Sequence, residues 1–103
     1  MPPAPDKVTL SLEGSTVVVA WNPVSSKIPL AGYQIYRAGS TDEPGAVLNS
    51  QPTTDAKYRD RTAIEGKSYV YWVVTQTVEG KVSAASPKSK VDVPKTGGAV
   101  PFF

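Results

Sequence analysis

Carboxylates are the side chains of this chain best suited to acid–base chemistry, because its 103 residues include no His and no Cys. The usual general bases, nucleophiles and soft metal ligands are therefore missing. Asp42 and Glu43 form the only adjacent acidic pair in the sequence. They stand beside Pro44 and Gly45, a composition typical of a loop in which acids are solvated. We therefore predict no catalytic residue and no enzyme activity.

Two further acids, Asp55 and Asp60, flank a short predicted strand. Asp side chains commonly start turns by accepting hydrogen bonds from backbone N–H groups, and this role explains both residues. A calcium site needs three or more clustered oxygen ligands, and the spacing of the acids does not supply them. The glycines are isolated and suit turns, so no phosphate-binding loop is predicted either. We expect no metal and no cofactor.

Charge and hydropathy narrow the possible partners. The formal net charge is +2, and the eleven Lys and Arg residues are spread thinly along the chain. A run of five or six like charges is absent, so we expect no nucleic-acid partner. The longest apolar run is too short for a membrane span, and we expect no membrane insertion. Residues 1–5 (Met-Pro-Pro-Ala-Pro) lack the features of a signal peptide.

The elements that position these residues are predicted to be strands. Short segments of alternating or β-branched residues are separated by turn residues, and no segment has helical periodicity. Glu79-Gly80 predicts a tight hairpin, and Pro87 interrupts the last strand, where an edge position would tolerate it. The pattern predicts an all-β sandwich of seven strands, at residues 8–12, 16–21, 33–37, 46–49, 57–60, 69–78 and 82–93.

Alternation along each strand also predicts which side chains form the core. The predicted centre of this core is Trp21, because an indole can bury more apolar area than any other side chain. The residues that we expect inside are Val8, Leu10, Val17, Val19, Trp21, Tyr33, Ile35, Tyr58, Tyr69, Tyr71, Val73, Val91 and Val93.

Taken together, these features resemble a fibronectin type III domain over about residues 5–94. No single feature is specific for this family, but their combination is fairly specific. Two motifs, Gly-Tyr-x-Ile-Tyr-Arg in the third strand and Tyr-x-Tyr in the long strand, look most like those of bacterial members. The residues that carry the resemblance are Pro5, Trp21, Pro23, Gly32, Tyr33, Ile35, Tyr36, Arg37, Tyr58, Asp60, Gly66, Tyr69, Tyr71, Val73, Gly80, Ser83, Ser86, Val91 and Val93.

The resemblance implies an immunoglobulin-like sandwich in which a three-stranded sheet packs on a four-stranded sheet. It implies a domain over residues 5–94, preceded by a Pro-rich lead-in at 1–4 and followed by a flexible tail at 95–103. Ala63 departs from the family, which usually has a larger aliphatic residue beneath a corner tied by a tyrosine. Either Ile64 turns inward to fill this space, or the corner is loosely packed.

The resemblance also implies a non-catalytic module of a larger bacterial extracellular or cell-envelope protein. Such a module serves as a spacer or as an interdomain or protein-interaction unit, and we expect a monomer. Its partners would be neighbouring domains, another protein or a polysaccharide. Integrin-binding members carry Arg-Gly-Asp in the last hairpin, but residues 78–81 here read Val-Glu-Gly-Lys, so that activity does not transfer.

One surface of the predicted sandwich has an unusual composition. Tyr36 and Trp72 should point away from the core on neighbouring strands, flanked by Gln34, Val70 and Val74. Cross-strand aromatic pairs stabilise sheets, and Arg37 or a neighbouring lysine could cover the rings, so a structural role explains these residues. Alternatively, they form a binding face for a neighbouring domain, a partner protein or a sugar ring.

The last residues, Val100 to Phe103, are apolar. Two interpretations stay open. They are either the first strand of a following domain or a short extension that packs on the predicted Tyr36/Trp72 face.

Overall fold

The computed structural model describes residues 2–40 and 42–95. The predictions for the tail beyond residue 95, including residues 100–103, lie outside this part. The described residues form seven strands and no helix, which confirms the all-β prediction. The strands are β1 (Thr9–Glu13), β2 (Thr16–Ala20), β3 (Leu30–Ala38), β4 (Ala46–Val47), β5 (Lys57–Asp60), β6 (Ser68–Thr77) and β7 (Ser89–Asp92).

The strands form two antiparallel sheets, as predicted. The three-stranded sheet has the order β1-β2-β5, and the four-stranded sheet has the order β4-β3-β6-β7. The longest pairing joins β3 to β6, and its register is shifted once, between Leu30 and Gly32. This irregularity lies outside the predicted strand, which began at Tyr33.

The last predicted strand, 82–93, is only partly correct. Pro87 has no N–H group to donate, and regular pairing with β6 begins only at Ser89. Before this point two buried serines satisfy the backbone of β6. The N–H of Ser86 donates to the Val73 carbonyl, and its Oγ accepts from the Val73 N–H, each at 2.9 Å. Ser83 does the same at Thr75, so side-chain hydroxyls replace part of a strand.

The core between the sheets contains all thirteen predicted residues. Nine are buried, and Val8, Leu10, Tyr58 and Val91 pack against them as partly buried residues. Trp21 is only 5% exposed and meets the Tyr33 ring edge-on, with the ring centroids 5.2 Å apart. One indole therefore joins the first sheet to the second.

The two ends of the fold lie at opposite poles of the sandwich. β1 begins at the pole where Thr9 pairs with Ala20 and where Ala20 pairs with Lys57, the first residue of β5. The connection after β5 crosses the other pole and leads into Ser68, which pairs with Asp92 at the end of β7. The chain thus enters the fold at the first pole, beside Thr9, and leaves at the second, beside Asp92.

Candidate functional site

The outer face of the four-stranded sheet carries the predicted aromatic pair. Tyr36 and Trp72 are direct cross-strand partners, and their rings stack with centroids 5.8 Å apart and planes inclined by 5°. The Lys88 ammonium lies over the Trp72 ring, 4.6 Å from its centroid. Cross-strand packing and a cation–π contact both stabilise such an arrangement. The predicted orientation is correct, and a lysine rather than Arg37 covers the indole.

The prediction that this face is exposed is wrong for three of its five residues. Trp72 is 6% exposed, Val70 2% and Val74 7%. Trp72 and Val70 form a small second cluster with Ala38, against which Tyr36 packs. Only Tyr36 and Gln34 remain half-buried. Large side chains on adjacent strands cover one another, and period-two alternation does not register this lateral packing.

The loop after β3 covers another part of the Trp72 ring. Gly45 in this loop has a φ of 74°, and a Cβ at this position would overlap the ring. The left-handed backbone conformation also disfavours any other residue. The tight turn and the burial of Trp72 therefore depend on the same glycine.

Replacing Gly45 by alanine should destabilise the domain by about 2–4 kcal/mol, because backbone strain and overpacking against Trp72 add together. Gly14→Ala is the matched control, since Gly14 has a φ of 64° with nothing within 4 Å of the added Cβ. The control should lose only about 1 kcal/mol, from backbone strain. Urea unfolding measures both changes, and equal losses would contradict the contact with Trp72.

A buried polar network near the second pole was not predicted. Asp60 is 2% exposed and points into the sandwich at the end of β5. Its Oδ2 accepts hydrogen bonds from the Tyr71 hydroxyl at 2.6 Å and from Arg37 Nη1 at 2.9 Å. Its Oδ1 accepts from the Thr62 N–H at 3.0 Å and from the Thr62 hydroxyl at 2.6 Å. The carboxylate thus links both sheets and the turn between them.

The network favours the ionised carboxylate. Burial alone would raise the pKa of Asp60, but the hydrogen bonds from Thr62, Tyr71 and Arg37 outweigh it and lower the pKa below its usual value. Burial, together with donation to Asp60, raises the pKa of the Tyr71 hydroxyl far above its usual range. Around neutral pH the network therefore consists of a carboxylate, a neutral phenol and a guanidinium.

This pKa shift makes stability depend on pH. Unfolded Asp60 has a pKa of about 3.9, and folding lowers it, so the stabilisation is complete above that value and is lost as pH falls through the folded pKa. We expect the free energy of unfolding to fall more steeply below about pH 4 in the wild type than in Asp60→Asn. Urea titrations between neutral and acidic pH measure both slopes, and parallel curves would contradict the shift.

The connection between the sheets is tied by Tyr69. Its hydroxyl accepts a hydrogen bond from the Ile64 N–H at 3.0 Å, and the Arg37 guanidinium lies 4.7 Å from its ring centroid. The suggestion that Ile64 fills the space beside Ala63 is wrong, because Ile64 is 53% exposed. Ala63 itself is buried in the main core. The hydroxyl bond therefore holds the corner while the backbone of Ile64, not its side chain, faces inward.

Asp42, Glu43 and Asp55, which the sequence analysis also considered, lie outside the Asp60 network. Glu43 accepts a hydrogen bond from the Gly39 N–H at 2.8 Å, and Asp42 and Asp55 are exposed. A surface depression of about 370 Å³ is lined by Tyr69 and by residues of 37–39 and 43–46. Its two ionic groups, Arg37 and Glu43, are already bonded to other groups of the chain. The depression therefore brings together no pair suited to acid–base catalysis.

Within residues 2–40 and 42–95, no group of three or more potential metal ligands is found. That part of the chain also contains no helix that could span a membrane. The groups that sequence reasoning did not bring together are those of the Asp60 network. Their one sequence signal is Asp60 itself, an acid at an inward position two residues after Tyr58.

Comparison with known proteins assigns the fold. No known family profile matches the sequence. A Fn3-like protein from Clostridium thermocellum superimposes with a TM-score of 0.78 and 22% identity, covering 91% of this chain and 95% of that one. A β-1,2-glucanase from Parabacteroides distasonis gives a TM-score of 0.74 and 18% identity, covering 91% of this chain and 13% of the enzyme. The chain therefore has the fibronectin type III fold, as the sequence resemblance implied.

One curated relative is similar in sequence. An amylopullulanase from Thermoanaerobacter thermohydrosulfuricus is 26% identical over 93 residues, which cover 89% of this chain. These residues span only 6% of the relative. The similarity therefore concerns one domain of a much longer protein.

Proposed function

We propose that this chain is a non-catalytic fibronectin type III-like module that separates or joins domains of a larger protein. The folded unit would be residues 5–94, and the segments 1–4 and 95–103 would be its connections. The observation that carries this proposal is the placement of the two ends at opposite poles. A module with this geometry holds its neighbours a fixed distance apart.

The use of the polar side chains supports the same role. Arg37 and Asp60 bond each other, Glu43 bonds the backbone of Gly39, and Tyr71 donates to Asp60. Groups engaged in this way stabilise the folded domain. The chemistry of the described residues thus favours a structural module over an enzyme.

The comparisons support a place in a larger protein. The amylopullulanase and the β-1,2-glucanase are enzymes named for polysaccharide substrates, and each contains a segment similar to this chain within a longer sequence. We propose that the parent protein is bacterial, acts outside the cell or in the cell envelope, and has polysaccharide-degrading domains. The partners of this module would then be the neighbouring domains.

An accessory binding module is the second candidate. The observation favouring it is the half-buried Tyr36 ring, which continues the Trp72 stack towards Val47, a residue that is 44% exposed. A sugar ring or an apolar protein side chain could contact this edge of the Tyr36/Trp72 face, with Gln34, Val70 and Val74 as its surroundings. The burial of Trp72 makes this site smaller than the sequence predicted.

NMR titration separates the two candidates. The ¹⁵N-labelled chain is titrated with pullulan and with β-1,2-glucan, and the amide shifts of residues 34–37, 46–48 and 70–74 are followed. The spacer proposal predicts no saturable change. Saturable shifts around Tyr36 that Tyr36→Ala abolishes would replace it with the binding role. Val78→Ala, at an exposed position away from this face, serves as the control.

A further inference from the structure

The outer face of the three-stranded sheet carries a row of cations. The residues of β1, β2 and β5 that alternate with the core-facing ones point to this face. Lys57 and Arg59 belong to β5, the outermost strand on one side of the sheet, and Arg61 follows directly after it. All three are exposed. The strand register places the other outer residues beside them, and these are Thr9, Ser11, Glu13, Thr16, Val18 and Ala20.

One carboxylate lies among these cations. Glu13 accepts a hydrogen bond from Arg59 Nε at 3.0 Å. This bond and the charge of Arg59, followed by the charges of Lys57 and Arg61, lower the pKa of the Glu13 carboxyl, so all three cations are within electrostatic reach of it. In residues 2–40 and 42–95, no ion pair involves Lys57 or Arg61. The face therefore has an excess of two positive charges, as large as the formal net charge of the whole chain.

Hydroxyl groups accompany the cations on this face. Thr9 and Ser11 are exposed on β1, and Thr16 is half-buried on β2. A hydroxyl can both donate and accept a hydrogen bond. None of the outer residues of β1, β2 and β5 is aromatic. The face thus offers cations along one side and hydroxyls along the other, without a ring on which a planar ligand could stack.

We propose that this face binds a carboxylated polysaccharide, with the carboxylates of the polymer on Lys57, Arg59 and Arg61 and its hydroxyls towards β1. This inference goes beyond the proposed function and does not depend on it. The planar guanidinium of arginine matches the geometry of a carboxylate. Alternate residues of a strand are about 7 Å apart, so the row is about 14 Å long. A polymer can contact all three cations, whereas a single sugar acid cannot.

Charge alone would also attract a nucleic acid, but the face offers little else that fits one. Proteins that bind single strands stack the bases on aromatic side chains, which are missing from these positions. A duplex is held through many phosphate contacts, and a row of three cations supplies few. A polymer that combines carboxylates with hydroxyls matches both kinds of group on the face.

NMR titration tests the proposal. The ¹⁵N-labelled chain is titrated with a galacturonic acid oligosaccharide at about 20 mM salt, where exposed charges are little screened. We expect saturable amide shifts centred on residues 9–13, 16–20 and 57–61, with a dissociation constant on the order of 0.1–1 mM. At about 0.5 M salt the affinity should fall at least about five-fold. The absence of saturable shifts at low salt, or shifts centred on residues 34–37 and 70–74, would overturn the proposal.

Two double variants make the test specific to the row. Lys57→Gln, Arg61→Gln removes two exposed cations, leaves the Glu13–Arg59 pair intact and should weaken binding at least about five-fold. Lys27→Gln, Lys81→Gln is the matched control, because it removes the same charge at exposed loop positions and should leave binding nearly unchanged. Equal losses for the two variants would assign binding to the overall charge and overturn the proposal.

Two further ligands test the chemistry of the polymer. A neutral galactose oligosaccharide of the same length should cause no saturable shift, since it lacks the carboxylates. A single-stranded DNA oligomer of the same charge should bind more weakly, because the face cannot stack its bases. Equal binding of the neutral sugar or of the DNA would contradict recognition of a carboxylated polysaccharide. Either result would leave the spacer role, which depends on the placement of the two ends, unaffected.

Discussion

Trp21→Ala should lower the free energy of unfolding by about 3–5 kcal/mol, because it removes a buried indole and leaves a cavity between the sheets. Domains of this size have total stabilities of about 5–15 kcal/mol, so the loss is a large part of the whole. Trp21 is 5% exposed and contacts Tyr33 of the other sheet. Urea unfolding followed by the fluorescence of the remaining Trp72 measures the change.

Trp21→Phe is the matched control for this substitution. It keeps an aromatic ring between the sheets and should cost less than half as much as Trp21→Ala, because most of the cavity stays filled. Equal losses for the two variants, or a loss below about 1 kcal/mol for Trp21→Ala, would contradict the central position of this indole.

Asp60→Asn should also destabilise the domain strongly, by about 3 kcal/mol. It keeps the shape of the side chain but removes the charge that pairs with Arg37. Breaking a fully buried ion pair costs about 3–5 kcal/mol, and the lower end applies because the Arg37 side chain is 25% exposed. The new amide also presents N–H donors where Asp60 accepted hydrogen bonds. Urea unfolding at neutral pH measures the loss.

Asp55→Asn and Tyr71→Phe complete this experiment. Asp55 is exposed, so its replacement should change stability by less than about 0.5 kcal/mol. Tyr71→Phe removes one hydrogen bond to Asp60 and should cost about 1–2 kcal/mol. If Asp60, Tyr71 and Arg37 form one network, the double variant of Asp60 and Tyr71 should lose less stability than the sum of the two single losses. Strict additivity would show that the two side chains act independently.

The sequence predicted the architecture well because burial and turn formation are local signals. The alternation of Val17 and Val19 predicts that both side chains point into the main core, whatever strand lies next to β2. Pro87 correctly predicted that the last strand is interrupted. However, the serine hydroxyls that bond β6 could not be located, because they act between segments that only the fold brings together.

The candidate site was predicted less well, for a related reason. Period-two alternation correctly placed Tyr36 and Trp72 on the outer face. Their exposure depends on neighbours across strands, and Lys88 and Gly45 come from distant segments. The Asp60 network was missed because its members were each explained separately. Asp60 suited a turn, Tyr71 suited the core, and nothing in the order of the residues joined them to Arg37.

The placement of the two ends is the claim on which the spacer role depends, and one distance tests it directly. The chain has no Cys, so spin labels attached to an Ala4→Cys, Pro94→Cys variant occupy those two exposed positions only. Pulsed electron paramagnetic resonance should give one narrow distribution centred beyond about 30 Å, the length of a ten-residue strand. A centre below about 20 Å would place both ends at one pole and contradict the account.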